Sequence, residues 1–463
     1  MEDLLYARLQ MAVSLGFHIV FAAIGMAVPV LMVASDYLYL RTGNEEFRTL
    51  AQRWAKGTAV FFAVGAVSGT VLSFELGLLW PSFMEHAGGI IGMPFGLEGL
   101  AFFTEAIFLG IYLYAWDRIG RWAHLTAGAI VAISGNVSAA FIIMVNGWMN
   151  SPAGFDFDAA TRTFSNIDPV AAMFNGAWAI EAIHMILAAF MATGFAVAGI
   201  HAIGLLRHAD SSFHRKAMAI AMGVAIPASL LQPAVGHFAA QRLHDAQPAK
   251  LAAMEAHFET RERAPLTIGG IVDEEAGEVR YGLEIPALLS FLVHDNFQDP
   301  VTGLDAIPPE QRPPVAIVHY AFDGMVGLGM AMVGVSGWFL LAAFRQRRIP
   351  TDRPLLIAIV ALMPAGTLAI ELGWIVTEVG RQPWIIQGVM QTREAVTPMP
   401  GLMVPFLTFS FVYAVLGAIV AYLFAQQVRS TYTPPNMDHV TPSTPGDPHA
   451  PLRVDSVIGG QAA

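Results

Sequence analysis

Cysteine is absent from the 463 residues, which excludes disulfides, thiolate-bound zinc and iron–sulfur clusters. Charge is scarce: Asp, Glu, Lys and Arg make up 13% of the chain, about half the share usual in a soluble domain. There is no excess of positive charge, since the formal net charge is −11; nucleic acid is not indicated as a partner. A cleavable signal peptide is not visible either, because Met1–Arg8 is short and acidic and the first apolar run is long enough to span. What the chain has is hydrophobicity. With 55% hydrophobic residues and a strongly positive mean hydropathy, it reads as a polytopic membrane protein in which lipid replaces water as solvent. Any metal centre must then use His, Met, Asp or Glu.

Apolar runs of about 20 residues lie near 12–39, 57–80, 95–115, 123–147, 177–206, 217–240, 315–344, 355–377 and 402–426. The expected fold is an all-α membrane protein of about nine transmembrane helices. Residues 1–240 hold the first six, 241–314 form an extramembrane segment, 315–428 hold the last three, and 429–463 read as a disordered tail rich in Pro, Thr and Asp. Basic residues set the orientation. Arg41, Arg48 and Arg53, then Arg118 and Arg121, then Arg207, Arg215 and Lys216, then Arg345, Arg347, Arg348 and Arg353 fall in the odd-numbered loops. The N-terminus and 241–314 are therefore expected outside, in the periplasm, and the C-terminus in the cytoplasm.

Ionisable groups inside hydrocarbon cost several kcal/mol unless paired or ligating, so each needs a reason. The spans contain His18, Glu98 and Glu105, Glu181 and His184, His319, Asp323 and Met325, and Glu371, and the eighth ends at Glu378 in Gly373-Trp374-Ile375-Val376-Thr377-Glu378-Val379-Gly380-Arg381-Gln382-Pro383-Trp384. Seven residues separate Glu98 from Glu105, about 10 Å along one helix face. With the orientation above, His18, Glu98, His184, Met325 and Glu378 share the outer half of the membrane, which suggests one cofactor layer. His and Met are usual axial ligands of an electron-transfer haem, whereas a lone His is as often a packing residue and most of the 22 methionines are core filling. The carboxylates could equally form a proton relay, a cation site or an ion pair with Arg381. On these residues alone, a membrane redox protein and a proton-coupled secondary transporter both stay open; the latter usually shows inverted repeats, and none is evident.

The motifs resemble the large subunit of cytochrome bd-type quinol oxidases over nearly the whole chain. Arg8-Leu9-Gln10 followed by His18 is similar to that family's first helix, and Leu97-Glu98-Gly99-Leu100 with Phe-Phe-Thr-Glu105 to its two-glutamate helix. Asn146-Gly147-Trp148-Met149 and the Gly373–Trp384 run are the most specific pieces, and Lys250-Leu251-Ala252-Ala253-Met254-Glu255 resembles the start of its external quinol loop.

The resemblance implies a quinol:oxygen oxidoreductase of the bacterial inner membrane that generates a proton gradient without pumping. It implies two haem b and one haem d, or haem b in place of haem d. His184 and Met325 resemble the axial ligands of a low-spin haem b, and His18 and Glu378 those of the two high-spin haems. Trp374 and Arg381 join the cofactor site, Arg381 near the haem propionates. Glu98 and Glu105 look like the proton-delivering carboxylates, and Lys250 and Glu255 like the residues of quinol oxidation. The implied substrates are dioxygen and ubiquinol or menaquinol; the implied partners are a second hydrophobic subunit and small single-helix ones. The short 241–314 loop and the seven-residue Glu98–Glu105 spacing point to the short-loop, cyanide-insensitive branch, and Asp323 stands where other members carry Arg. Smaller expectations are a snorkelling Lys56, an interfacial Asp117–Arg118 pair, solvated His201, His208 and His214, and His237 and His244 bordering the quinol site.

Overall fold

A backbone in lipid has no water to bond, so each apolar run must close its own hydrogen bonds as a helix. The computed structural model describes residues 2–432. Among them, nine helices are long and apolar enough to cross a membrane: Glu2–Thr42, Glu45–Leu79, Pro81–Tyr114, Arg121–Asn150, Trp178–Arg207, Ser212–Ala246, Val315–Gln346, Arg353–Val379 and Met403–Tyr432, here spans 1 to 9. The expected count is met. The helices outrun the apolar stretches: span 1 has 41 residues, about 60 Å at 1.5 Å per residue, twice the hydrocarbon thickness. Span 6 likewise continues to Ala246, so its helix runs on into the segment expected to lie outside the membrane. Span 9 runs to Tyr432, and the rest of the expected 429–463 tail lies outside the described residues.

Local chemistry sets the breaks. Gly43, at φ +67°, allows the two-residue turn between spans 1 and 2, and the Asn44 side chain caps span 2 by accepting from the Glu46 amide. Ser211 caps span 6 through the His214 amide. Span 8 stops at Ala361 and restarts at Ala365, where Pro364 has no N–H to continue the ladder.

Sequential spans pack as antiparallel pairs, 1 on 2, 3 on 4 and 5 on 6, and span 8 closes against 5 and 7. Small residues permit the approach: an ideal Cβ on Gly194 would stand 2.6 Å from the Ala225 Cβ, and one on Gly199 2.8 Å from the Met363 Cβ. One buried cluster, with Phe195, Met218, Met222, Leu355 and Ile359, joins spans 5 to 8; a second, with Trp80, Phe83, Trp148 and Ile386, closes the N-terminal end.

Connections on the face opposite the N-terminus are short turns. The N-terminal face carries the folded loops, with antiparallel hairpins Asp156–Ser165, Leu266–Ile285 enclosing Ile271–Arg280, and Trp384–Gln391. The Leu266–Ile285 hairpin is tied to span 7: Asp323 accepts from the Gly269 amide at 2.5 Å, Tyr320 from the Val272 amide at 3.0 Å, and His319 bonds the Met254 and Gly269 carbonyls. Asp323, singled out for its nearness to Met325, is thus a loop anchor.

A Gly194→Val substitution should destabilise the span 5–6 contact by about 1–3 kcal/mol. Thermal unfolding in detergent would show it, with Gly223→Ala, whose Cβ meets nothing within 4 Å, losing no stability.

Candidate functional site

Asn150, the last residue of span 4, gathers the polar groups of the N-terminal face. Its side-chain oxygen accepts from Lys250 Nζ at 3.1 Å and from Arg381 Nη1 at 3.4 Å. Its amide nitrogen donates to Asn146 Oδ1 at 2.9 Å and Glu181 Oε1 at 3.2 Å. Asn146, one turn back on the same helix face, donates to Glu378 Oε1 at 2.7 Å, and Arg381 donates to Glu378 Oε2 at 2.5 Å. Two carboxylates, from spans 5 and 8, and two cations, from the segments after spans 6 and 8, so meet on span 4, which balances their charge where water is scarce. Arg381, expected near propionates, is paired with Glu378.

A cavity of about 110 Å³ opens beside this network, lined by Gln247, Lys250, Ile307, Arg381, Gln382 and Trp384. Lys250 is 4% exposed. Burial, and then the Arg381 guanidinium, push its ammonium pKa down to about 7 against the pull of Glu181 and Glu378. Glu255 lies outside the cavity lining, 5% exposed, and burial followed by Asp323 pushes its carboxyl up to about 8. The sequence pair Lys250/Glu255 is therefore split: Lys250 joins Arg381, while Glu255 sits where the loop meets span 7.

The implied haem ligands can be tested against their surroundings. His18 Nδ1 lies 2.9 Å from Ser68 Oγ, whose own proton goes to the Val64 carbonyl at 2.8 Å. Nδ1 is then the donor, which leaves the Nε2 lone pair for a metal. Gly69 faces the ring; a Cβ there would stand 3.0 Å from His18 Cε1. His184 Nδ1 is enclosed without a hydrogen-bond partner, and Gly236 faces that imidazole. Met325 rests on Gly373, whose Cβ would come 3.0 Å from the sulfur. Trp374 packs near Ile19, Met26 and Ile370 between spans 1, 5 and 8. These residues fit haem ligation. Glu378 has both oxygens engaged by donors, and a carboxylate keeps further lone pairs for a metal.

Glu98 and Glu105 both face span 4, as their spacing predicts: Ser138 donates to Glu98 Oε1 at 3.1 Å, and the Glu105 oxygens lie 3.2 Å from where a Gly135 Cβ would be. Glu98 and Glu378 are not level along span 4, however: Ser138 and Asn146 are eight residues apart, so Glu98 bonds that helix about 12 Å further from the N-terminal face than Glu378 does.

Several smaller expectations change. His201 and His214 are buried, not solvated, with their Nδ1 atoms 2.9 Å apart. Asp117 pairs with Arg48 rather than Arg118. His237 bonds Asp295 and His244 packs edge-on against His294, away from the cavity lining. Lys56 is exposed. Glu371 lies against Gly16 of span 1, its oxygen 3.2 Å from an ideal Cβ there. Three residues escaped the sequence reading. Asn150 stands one place beyond the motif 146–149 and shares a helix face with Asn146, a signal that was available. Glu75, which accepts from Gln10 and Ser14, and Asp36, which bonds Tyr112 and His124, were also passed over.

The model of the family described as cytochrome bd terminal oxidase subunit I matches residues 6–432. The chain is 38% identical over 435 residues to the putative cytochrome bd menaquinol oxidase subunit I of Bacillus subtilis (strain 168), covering 93% of this chain and 97% of that protein. It is 29% identical over 460 residues to the cytochrome bd ubiquinol oxidase subunit 1 of the same organism, covering 96% and 97%. A bd oxidase structure from Geobacillus thermodenitrificans superposes with a TM-score of 0.87 at 39% identity, covering 92% of this chain and 98% of that one.

Asn150→Ala strands Lys250 and Glu181 together, while Arg381 keeps Glu378. A loss of about 1–3 kcal/mol per stranded group is expected, read as a lower thermal midpoint in detergent; Asn146→Ala, which spares Lys250, should lose less.

Proposed function

The chain belongs to the cytochrome bd terminal oxidase subunit I family, a multi-pass protein of the bacterial inner membrane and a subunit of a quinol oxidase, and from that premise we propose that it oxidises quinol on its N-terminal face and reduces dioxygen to water within the membrane. The observation that carries this reading is the cavity where Lys250 and Arg381 meet on Asn150, two hydrogen bonds from Glu378. Family membership sets aside the transporter alternative.

His184 and Met325 would hold a low-spin haem b, and His18 and Glu378 two high-spin haems, a haem b with a haem d or a second haem b. When bound, these haems supply electron transfer and oxygen binding. The protein's own groups do the rest. Lys250, at the cavity wall, donates to a quinol oxygen and holds the ring. Glu255, five residues beyond Lys250 and just outside the cavity lining, is a neutral acid below about pH 8; once ionised it receives a quinol proton relayed from the cavity edge through water and passes it to solvent on the N-terminal face, which we place in the periplasm. Glu105 and Glu98, stepped along span 3 where it faces span 4, bring protons for water from the other side. Release on one face and uptake from the other build a gradient without a pump. Ubiquinol or menaquinol fits the cavity chemistry equally. A second hydrophobic subunit completes the enzyme, with small single-helix subunits beside it.

A reduced-minus-oxidised absorption spectrum of the purified oxidase should show haem bands, with the low-spin component lost in His184→Ala. A correctly assembled protein free of haem would overturn the proposal. If Glu255 is the base, kcat/KM for quinol rises as pH increases through about 8. In Glu255→Gln that rise should vanish and kcat/KM fall by about 10²–10⁴-fold, measured by oxygen uptake across a pH series.

A further inference from the structure

Glu75 of span 2 is 2% exposed and plays no part in the mechanism above. Its Oε1 accepts from Gln10 Nε2 at 3.0 Å and Ser14 Oγ at 2.8 Å. Its Oε2 is enclosed with no partner, and so are Gln10 Oε1 and, on span 9, Tyr413 Oη. The Tyr413 phenol lies beside Ser14 and Glu75. Spans 1 and 9 thus offer Glu75 two uncharged side chains and one phenol, and no ion pair to it forms among the described residues. A carboxyl used as a plain interhelical pin would have its polar atoms satisfied. Three enclosed, unmatched oxygens in one place instead make a polar pocket suited to water and an exchangeable proton.

Its position relates it to His18. Ser14 is one turn from His18 on the same face of span 1. Glu75 is seven residues, two turns, from Ser68 on one face of span 2, and Ser68 accepts from His18 Nδ1. Trp80 ends the helix five residues further on, so Glu75 lies between His18 and the N-terminal face.

We propose that Glu75 is the proton-carrying carboxyl of the His18 site. One proton from the N-terminal face forms the O–H bond at Oε2 as quinol oxidation delivers one electron to the metal group on His18, and it is released when that electron leaves. Uptake keeps the added negative charge neutral in a medium of low dielectric. The inference rests on the reading of His18 as a haem ligand.

Redox-difference infrared spectroscopy of the purified two-subunit oxidase tests it. A protonated-carboxyl C=O band, shifted in D2O, should appear on reduction and be lost completely in Glu75→Gln with the visible haem spectrum unchanged. Persistence of that band in a haem-replete Glu75→Gln protein would overturn the assignment. Should that variant fail to assemble, Ser14→Ala decides: withdrawing one donor from Oε1 should move the band, and an unmoved band refutes the role. A His18→Ala protein with a full haem spectrum would instead overturn the premise, because it removes the ligand reading and leaves Glu75 with nothing to compensate.

Discussion

A lysine and an arginine buried in a membrane protein must find their counter-charges inside it, and here both turn to one oxygen, that of Asn150. An amide suits this place because it is neutral and bifunctional: the oxygen receives two cations while the nitrogen serves Glu181 and, through Asn146, Glu378. A carboxylate there would add a third negative charge to a balanced set. The end of span 4, the turn after span 8 and the helix Pro248–Met254 are held together by this arrangement, and the cavity is what remains between them.

The candidate-site side chains share a second dependence, on glycine. Gly69 at His18, Gly373 at Met325, Gly135 at Glu105 and Gly16 at Glu371 each leave room for a polar or ligating side chain from a neighbouring helix. In hydrocarbon, helices gain from packing closely, and a missing Cβ is how a site is opened without loosening the bundle.

Much of this was legible beforehand. Nine apolar runs predicted nine helices because lipid leaves a backbone no alternative, and the seven-residue interval put Glu98 and Glu105 on one face because a helix repeats every 3.6 residues. Less legible were groups whose meaning depends on a distant partner. Histidines 201 and 214 looked like loop residues from their polar flanks, yet the short turn between spans 5 and 6 folds them onto each other. Lys250 and Glu255, five residues apart, looked like one site; a short helix and a tie to span 7 send them to different neighbours.

The sequence by itself determined the solvent, the number of spans and the chemical types available to a metal, since hydropathy, cysteine content and residue identity are properties of the chain. Depth was decided by tertiary structure. The packing of spans 3 and 8 on span 4 sets Glu98 and Glu378 against it eight residues apart. The choice of partners was decided there too, making Asp323 a loop anchor, Arg381 the mate of Glu378 and Asn150 the hub, because each is fixed by which helices pack side by side, information that no local pattern carries.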